Sequence, residues 1–136
     1  MRAIADTSFV VALENKRDVH RQRSLSVYKT ESVIYLPQSV LNEVCYLLTK
    51  EGGNRVTVAF LQRLPTMKYI LLPLDLDDIS RTTQILTQYT DSRLDFVDAT
   101  IAAVAERLQI TRILTLDCRD FQLLRPNHTA FFEILP

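Results

Sequence analysis

The sequence predicts an α/β fold, a central parallel β-sheet flanked by helices on both faces. Short apolar or β-branched runs alternate with longer helical ones along the whole chain. With 136 residues, 47% hydrophobic and 24% charged, the chain can bury one core without disulfides or metal staples, so a single domain over 1–136 is expected. Two of the strand-like runs end in aspartate, Asp6 and Asp117. Reactive groups of such sheets lie at the carboxyl ends of the strands.

Arg2–Ala5 reads as a short buried strand. Asp6-Thr7-Ser8 then offers helix-capping chemistry ahead of the apolar run Phe9–Leu13. A polar, basic helix is expected over about Asp18–Lys29. Val33–Leu36, stopped by Pro37, is the second strand. Gln38–Lys50 is a helix closed by Gly52-Gly53, where left-handed backbone is cheap. A further helix runs from about Asn54 to Leu64, before Pro65. Tyr69–Leu74 is a strand, and Asp75 and Asp77 cap a helix lasting to about Tyr89. Asp91–Ile110 holds another long helix, for which Ser92 and Asp95 compete as N-cap. Arg112–Leu116 is a strand, and Phe131–Ile134 a final edge strand. There is no repeat, linker or low-complexity stretch.

Several function classes are disfavoured early. Lys+Arg and Asp+Glu are 16 each, so no whole-molecule field advertises a polyanion partner. The charge is locally uneven, however. Lys16–Lys29 is basic and Asp75–Asp98 acidic, which allows a basic rim around an acidic centre. Cys45 and Cys118 are too few and too isolated for a disulfide framework or zinc ribbon. His20 and His128 lack ligand spacing. No phosphate-binding glycine loop or nucleophile elbow occurs. With no secretory leader and no apolar run near membrane-spanning length, a cytoplasmic protein is expected.

The chemistry-bearing pattern is four carboxylates, Asp6, Glu43, Asp98 and Asp117, each at an element boundary or on the rim of a buried helix face. At about 100° per residue, Glu43 falls just outside the arc of Val40, Leu41, Val44, Cys45, Leu47 and Leu48. Asp98 borders the stripe of Leu94, Val97, Ile101, Val104, Ala105 and Leu108. Singly, each has a plain structural use: the strand-end aspartates as helix caps, Asp98 as a first-turn charge on the macrodipole, and Glu43 as a solvated helix residue. Jointly they are costly. Two carboxylates ~5 Å apart repel by ~3 kcal/mol at an effective dielectric near 20, and only protonation or a cation relieves this. Hard oxygen ligands suit Mg²⁺ or Mn²⁺, and metal-assisted hydrolysis is the matching reaction.

These residues resemble the PIN-domain family, and in particular the VapC-type toxin ribonucleases of bacterial toxin–antitoxin systems. Ile4-Ala5-Asp6-Thr7-Ser8-Phe9 is similar to that family's opening, and Pro37–Leu48 with Glu43 to its second motif. Leu94-Asp95-Phe96-Val97-Asp98-Ala99 with Ala102 and Ala105–Leu108 is similar to its third, and Thr115-Leu116-Asp117 with Asp120-Phe121 to its ending. The resemblance spans the chain. It implies a PIN-like fold with Asp6, Glu43, Asp98 and Asp117 as the acidic quartet and Ser8 as an accessory polar residue. It also implies a Mg²⁺- or Mn²⁺-dependent endoribonuclease, the toxin of a type II pair, with a cognate antitoxin and a homodimeric state. Two positions depart from the family pattern. Gln109 stands where relatives often end the helix with Gly. Asp95 is an extra acid, either an accessory ligand or a helix cap.

On this reading Asp6, Asp98 and Asp117 hold the metal, and Glu43 is a ligand or positions the attacking water. Lys16, Arg17, Arg21, Arg23 and Arg119 are the candidates for RNA phosphate contacts; the alternative use of the basic run is a solvated helix face. The rival functions are a catalytically silent PIN module that binds RNA or protein, a phosphatase with Asp6 as nucleophile, and a DNA nuclease. The phosphatase is disfavoured because Ser8 stands where a second acid belongs.

Overall fold

The computed structural model describes residues 1–136. Its strands are β1 (Arg2–Ala5), β2 (Val33–Pro37), β3 (Tyr69–Leu72), β4 (Arg112–Leu114) and β5 (Glu133–Leu135). They form one sheet in the order β3-β2-β1-β4-β5, parallel at every pairing. The helices are α1 (Thr7–Glu14), α2 (Arg21–Thr30), α3 (Gln38–Gly52), α4 (Asn54–Arg63), α5 (Leu76–Gln88), α6 (Phe96–Leu108) and α7 (Cys118–Leu123). Successive residues Ala3, Ile4 and Ala5 of β1, and Ile113 and Leu114 of β4, are all buried. Side chains alternate between faces along a strand, so both faces of the central sheet are covered. No helix is long and apolar enough to cross a membrane.

The strand order fixes where chemistry can occur. From β1 the chain winds through β2 and β3 on one side, then returns to place β4 and β5 on the other. The crevice at this reversal lies outside the carboxyl ends of β1 and β4. Charged residues elsewhere hold the frame. Arg107 donates to both carboxylate oxygens of Asp78 at 2.8 and 3.1 Å, and Arg81 to both of Glu106 at 2.6 and 3.0 Å. Two forked pairs thus clamp α5 to α6. At the amino end of the sheet the Arg112 guanidinium joins buried Glu31 to Glu133. There too the Lys68 ammonium donates to the carbonyls of Tyr28, Lys29 and Glu31, closing the end of α2.

The structure shifts several boundaries predicted from sequence. Helix α2 begins at Arg21 rather than Asp18, because the Asp18 carboxylate accepts the His20 N–H at 2.8 Å and holds a turn there. Helix α6 begins at Phe96, capped by Asp95 and not by Ser92, whose hydroxyl donates to the Tyr89 carbonyl at 2.7 Å. β4 stops at Leu114, since the Leu116 N–H leaves the ladder for the Ser8 hydroxyl. β3 ends at Leu72, and β5 lies two residues later than expected at its start. The short α7 was not foreseen as an element.

Helix α6 closes on Gln109, whose φ of 56° is left-handed. The Ile110 N–H reaches the Ala105 carbonyl at 2.9 Å and the Gln109 N–H the Glu106 carbonyl at 3.3 Å, a Schellman closure. A Cβ is strained in that conformation. Gln109→Gly is therefore expected to stabilise the protein by about 0.5–1 kcal/mol, read as a higher denaturant midpoint at unchanged slope. A lower midpoint would mean that the lost bond from Gln109 Nε2 to the Glu106 carbonyl, 2.9 Å, outweighs the relief.

Candidate active site

The site grows out of the last hydrogen bonds between β1 and β4. The Asp6 N–H donates to the Leu114 carbonyl at 2.8 Å, which holds Asp6 beside Thr115. Asp6 occupies the cap position of α1, yet its side chain makes no cap bond. It turns instead to Thr115, whose hydroxyl lies 2.8 Å from Asp6 Oδ2. An ionised carboxylate only accepts, so Thr115 donates to it. The Thr115 oxygen then accepts from the Asp117 N–H at 2.9 Å and from the Ser8 hydroxyl at 3.1 Å. Ser8 in turn accepts from the Leu116 N–H at 2.9 Å. Ser8 therefore acts on Asp6 through Thr115, and Thr115 is a central residue to which sequence reasoning gave no role. The signal was present in the short Thr-x-Asp spacing, where a strand-end hydroxyl follows the alternation of the strand into the crevice.

Helices α6 and α3 bring the other two carboxylates. Asp98 sits in the first turn of α6, and a reciprocal capping box fixes it. Its N–H donates to Asp95 Oδ1 at 3.0 Å while its own Oδ2 accepts the Asp95 N–H at 3.3 Å. Asp95 is thus a helix cap. Glu43 is half-buried on α3. One turn earlier, Ser39 is bonded to Thr100 of α6 at 2.8 Å in a buried contact. That bond sets α3 against α6 and so fixes Glu43 relative to Asp98.

The electrostatics are those of an uncompensated anionic cluster. Asp6 is 5% exposed and Asp98 9%, while Asp117 lies open at the rim. Burial, opposed by the Thr115 and Thr7 hydrogen bonds and reinforced by the charges of Glu43 and Asp117, raises Asp6 from 3.8 to about 6. Burial, then the charges of Asp95 and Asp6, raises Asp98 to about 8. None of the four carboxylates has a basic side chain within 4.0 Å; the six ion pairs of the chain all lie elsewhere. Buried like charges without a counter-ion are the donor set that a hard divalent cation neutralises. No three acidic, histidine or cysteine side chains close on one point, so any such ion would keep water in its shell.

A fifth acid joins the rim. Asp120 of α7 is buried beside Asp117, and it faces Arg93 at 3.7 Å. Burial first, then the neighbouring Asp117 carboxylate, raises its pKa. Sequence reasoning gave Asp120 no site role; its i, i+3 spacing from Asp117 was the available signal. The predicted basic residues divide. Arg21 donates from Nε to the Leu13 carbonyl at 3.1 Å and Arg23 lies 2.7 Å from the His20 ring, so both are engaged in local structure. Lys16, Arg17 and Arg119 are exposed.

Comparison with known proteins matches the PIN domain family to residues 3–125. Ribonuclease VapC26 of Mycobacterium tuberculosis is 28% identical over 134 residues, 98% of this chain and 99% of the relative. Among solved structures, the Mycobacterium tuberculosis VapC20 toxin, which cleaves the sarcin–ricin loop, superposes with a TM-score of 0.82 at 24% identity, covering 98% of this chain and 99% of that one. A toxin–antitoxin complex from Klebsiella pneumoniae superposes at 0.68 with 17% identity, covering 96% and 99%.

The raised carboxylates make a stability prediction. Below their ordinary value near 3.8, folded and unfolded chains are both protonated. Between that value and about 6 for Asp6, or about 8 for Asp98, the unfolded chain has lost protons that the folded one keeps, so stability falls as pH rises. For Asp6 alone the full penalty is on the order of 3 kcal/mol. In metal-free solution Asp98→Asn, which keeps an acceptor for the Asp95 N–H, is expected to raise the melting temperature at pH 8 by roughly 5 °C and at pH 4 hardly at all. An equal change at both pH values would mean the cluster is not charged as described.

Proposed function

The chain belongs to the PIN-domain family, and on that premise we propose that it is a divalent-metal-dependent endoribonuclease, the toxin of a type II toxin–antitoxin pair. The observation that carries this reading is the buried pair Asp6 and Asp98. They stand with Glu43 and Asp117 at the carboxyl ends of β1 and β4, and no cation of the chain compensates them. The matching relatives include a ribonuclease and an RNA-cleaving toxin. A toxin–antitoxin complex among the solved structures supports a cognate antitoxin as partner; a homodimer and a single domain over 1–136 complete the proposal.

Asp6, Asp98 and Asp117 would hold Mg²⁺ or Mn²⁺ partly through bound water, since no three of these side chains close on one point; the ion would supply a water of lowered pKa and neutralise charge on the scissile phosphate. The chain's own residues do the rest. Thr115, braced by Ser8, holds the Asp6 carboxylate in one orientation. Asp95 locks the first turn of α6 and hence Asp98. Glu43, on the rim, positions the attacking water and accepts its proton at the carboxylate. Water oxygen bonds to phosphorus as the P–O3′ bond breaks, and the departing O3′ takes a proton from solvent, to which Glu43 returns its own, leaving 5′-phosphate and 3′-hydroxyl ends. Lys16, Arg17 and Arg119 are left to contact flanking phosphates.

End-labelled ribosomal RNA fragments, incubated with purified protein and Mg²⁺, Mn²⁺ or EDTA, test this reading. Metal-dependent cutting is expected, with Asp6→Asn and Asp98→Asn each losing roughly 100-fold or more, and Thr115→Val losing about 10- to 100-fold as an orienting group does. Cutting that survives both aspartate substitutions, or a folded wild type that cuts no RNA with any metal, sinks the proposal. The second outcome leaves the silent binding module.

A further inference from the structure

Beside the acidic crevice the surface carries two unpartnered aromatic rings. Tyr46 of α3 is 64% exposed and Phe96, the first residue of α6, is 46% exposed. They border a cavity of about 370 Å³, completed by Ser39, Asn42, Glu43 and Val97. Glu43 belongs at once to this cavity and to the acidic cluster, so the two are continuous. From the same structure, and resting on the nuclease reading above, we propose that this cavity is a nucleobase subsite. In it a base next to the scissile phosphate stacks on Tyr46 and Phe96.

Three features select a base over other occupants. Large aromatic rings left in water forgo the contacts they are suited to make, and every nucleobase offers a flat face to them. The wall carries a carboxylate and no cation, which excludes phosphate itself and admits a neutral ring with N–H edges. Asn42 supplies an exposed amide able to donate and accept along a base edge. The track continues past Tyr46. A second cavity of about 470 Å³, lined by Asn42, Cys45, Tyr46, Thr49 and Lys50, shares Tyr46 and Asn42 with the first. Glu43, Tyr46 and Lys50 follow at i, i+3 and i+7, one face of α3 spanning about 10 Å. Along it acid, ring and cation succeed one another as reacting phosphate, base and next phosphate do along a single strand. Tyr46 and Phe96 are therefore positioning and specificity residues rather than catalytic ones.

The chain has no tryptophan, so a Phe96→Trp substitution installs a single indole reporter. It is made in the Asp6→Asn background, in Mg²⁺, where bound RNA stays uncut. The probes are a single-stranded, mixed-sequence RNA of about 12 nucleotides and an abasic ribose-phosphate strand of equal length, with binding also followed by fluorescence anisotropy. The RNA is expected to quench the indole and the abasic strand to bind without quenching. Tyr46→Ala is expected to weaken RNA binding by roughly 5- to 150-fold, the range of base–aromatic stacking, with Tyr46→Phe restoring it and abasic affinity unmoved. A Tyr46→Trp reporter serves if Phe96→Trp does not fold. RNA binding by anisotropy without quenching overturns the subsite alone, as does an equal loss for both strands. Quenching that follows protein concentration without RNA overturns it in favour of a self-association surface. If no RNA binds at all, the nuclease reading falls with it.

Discussion

One hydroxyl organises the reactive end of this molecule. The Thr115 side chain donates to Asp6, accepts from the Asp117 backbone and accepts from Ser8, using every bonding capacity a hydroxyl has. It stands one residue beyond β4, beside Asp6 one residue beyond β1, where the sheet order reverses. The parallel pairing of Ala5 with Leu114 brings these two positions together, and the threonine converts that adjacency into a fixed carboxylate. Without it Asp6 would revert to the ordinary employment of a strand-end aspartate, capping the helix that follows. Both strand-end acids have escaped that fate. Asp6 and Asp117 hold cap positions and neither side chain caps, whereas Asp75 and Asp95 cap with reciprocal boxes.

The same division governs charge across the sheet. At the amino end every buried acid has a cation: Glu31 has Arg112, and Lys68 closes the carbonyls at the end of α2. Along the α5–α6 seam Asp78 has Arg107 and Glu106 has Arg81. The carboxyl end alone breaks the pattern. Burial there raises Asp6 and Asp98 against the ionised form, and only the half-satisfied pair of Asp120 with Arg93 approaches compensation. A fold that pairs its buried acids everywhere else could pair these, and a chain selected for stability alone would do so. On the proposed nuclease reading the frustrated end is what a site for an external cation costs, and the salt-bridged seams offset that cost elsewhere.

The sequence made the sheet and the order of the elements other than α7 legible, and it singled out the four carboxylates, because each rests on a local signal: apolar runs, helix stops, and carboxylates on the rim of a periodic stripe. It was weaker wherever a side chain chose between two partners. Ser92 and Asp95 both read as caps, and only the backbone path assigns Ser92 to the Tyr89 carbonyl and Asp95 to Asp98. Arg21 and Arg23 read as a basic patch because composition cannot reveal that the first closes α1 and the second leans on His20. Leu116 has strand propensity, yet its N–H is drawn from the ladder by Ser8, 108 residues earlier in the chain. Gln109 stands where the family often has glycine, and its left-handed φ of 56° gives the physical reason for that preference.

Helix α3 joins these arguments. Its inner face is core, with Val40, Val44 and Leu48 buried. Its edge is stitched to α6 by Ser39 and Thr100. Its outer edge presents Glu43, Tyr46 and Lys50 in succession. Because a helix is stiff over about three turns, fixing Ser39 fixes all three at once. The bond that places the Glu43 carboxylate near Asp6 therefore also places an aromatic ring on the neighbouring cavity. Positioning for chemistry and positioning for recognition become one constraint. A change at the buried Ser39–Thr100 contact would disturb both together, whereas a change at Tyr46 would disturb only the second.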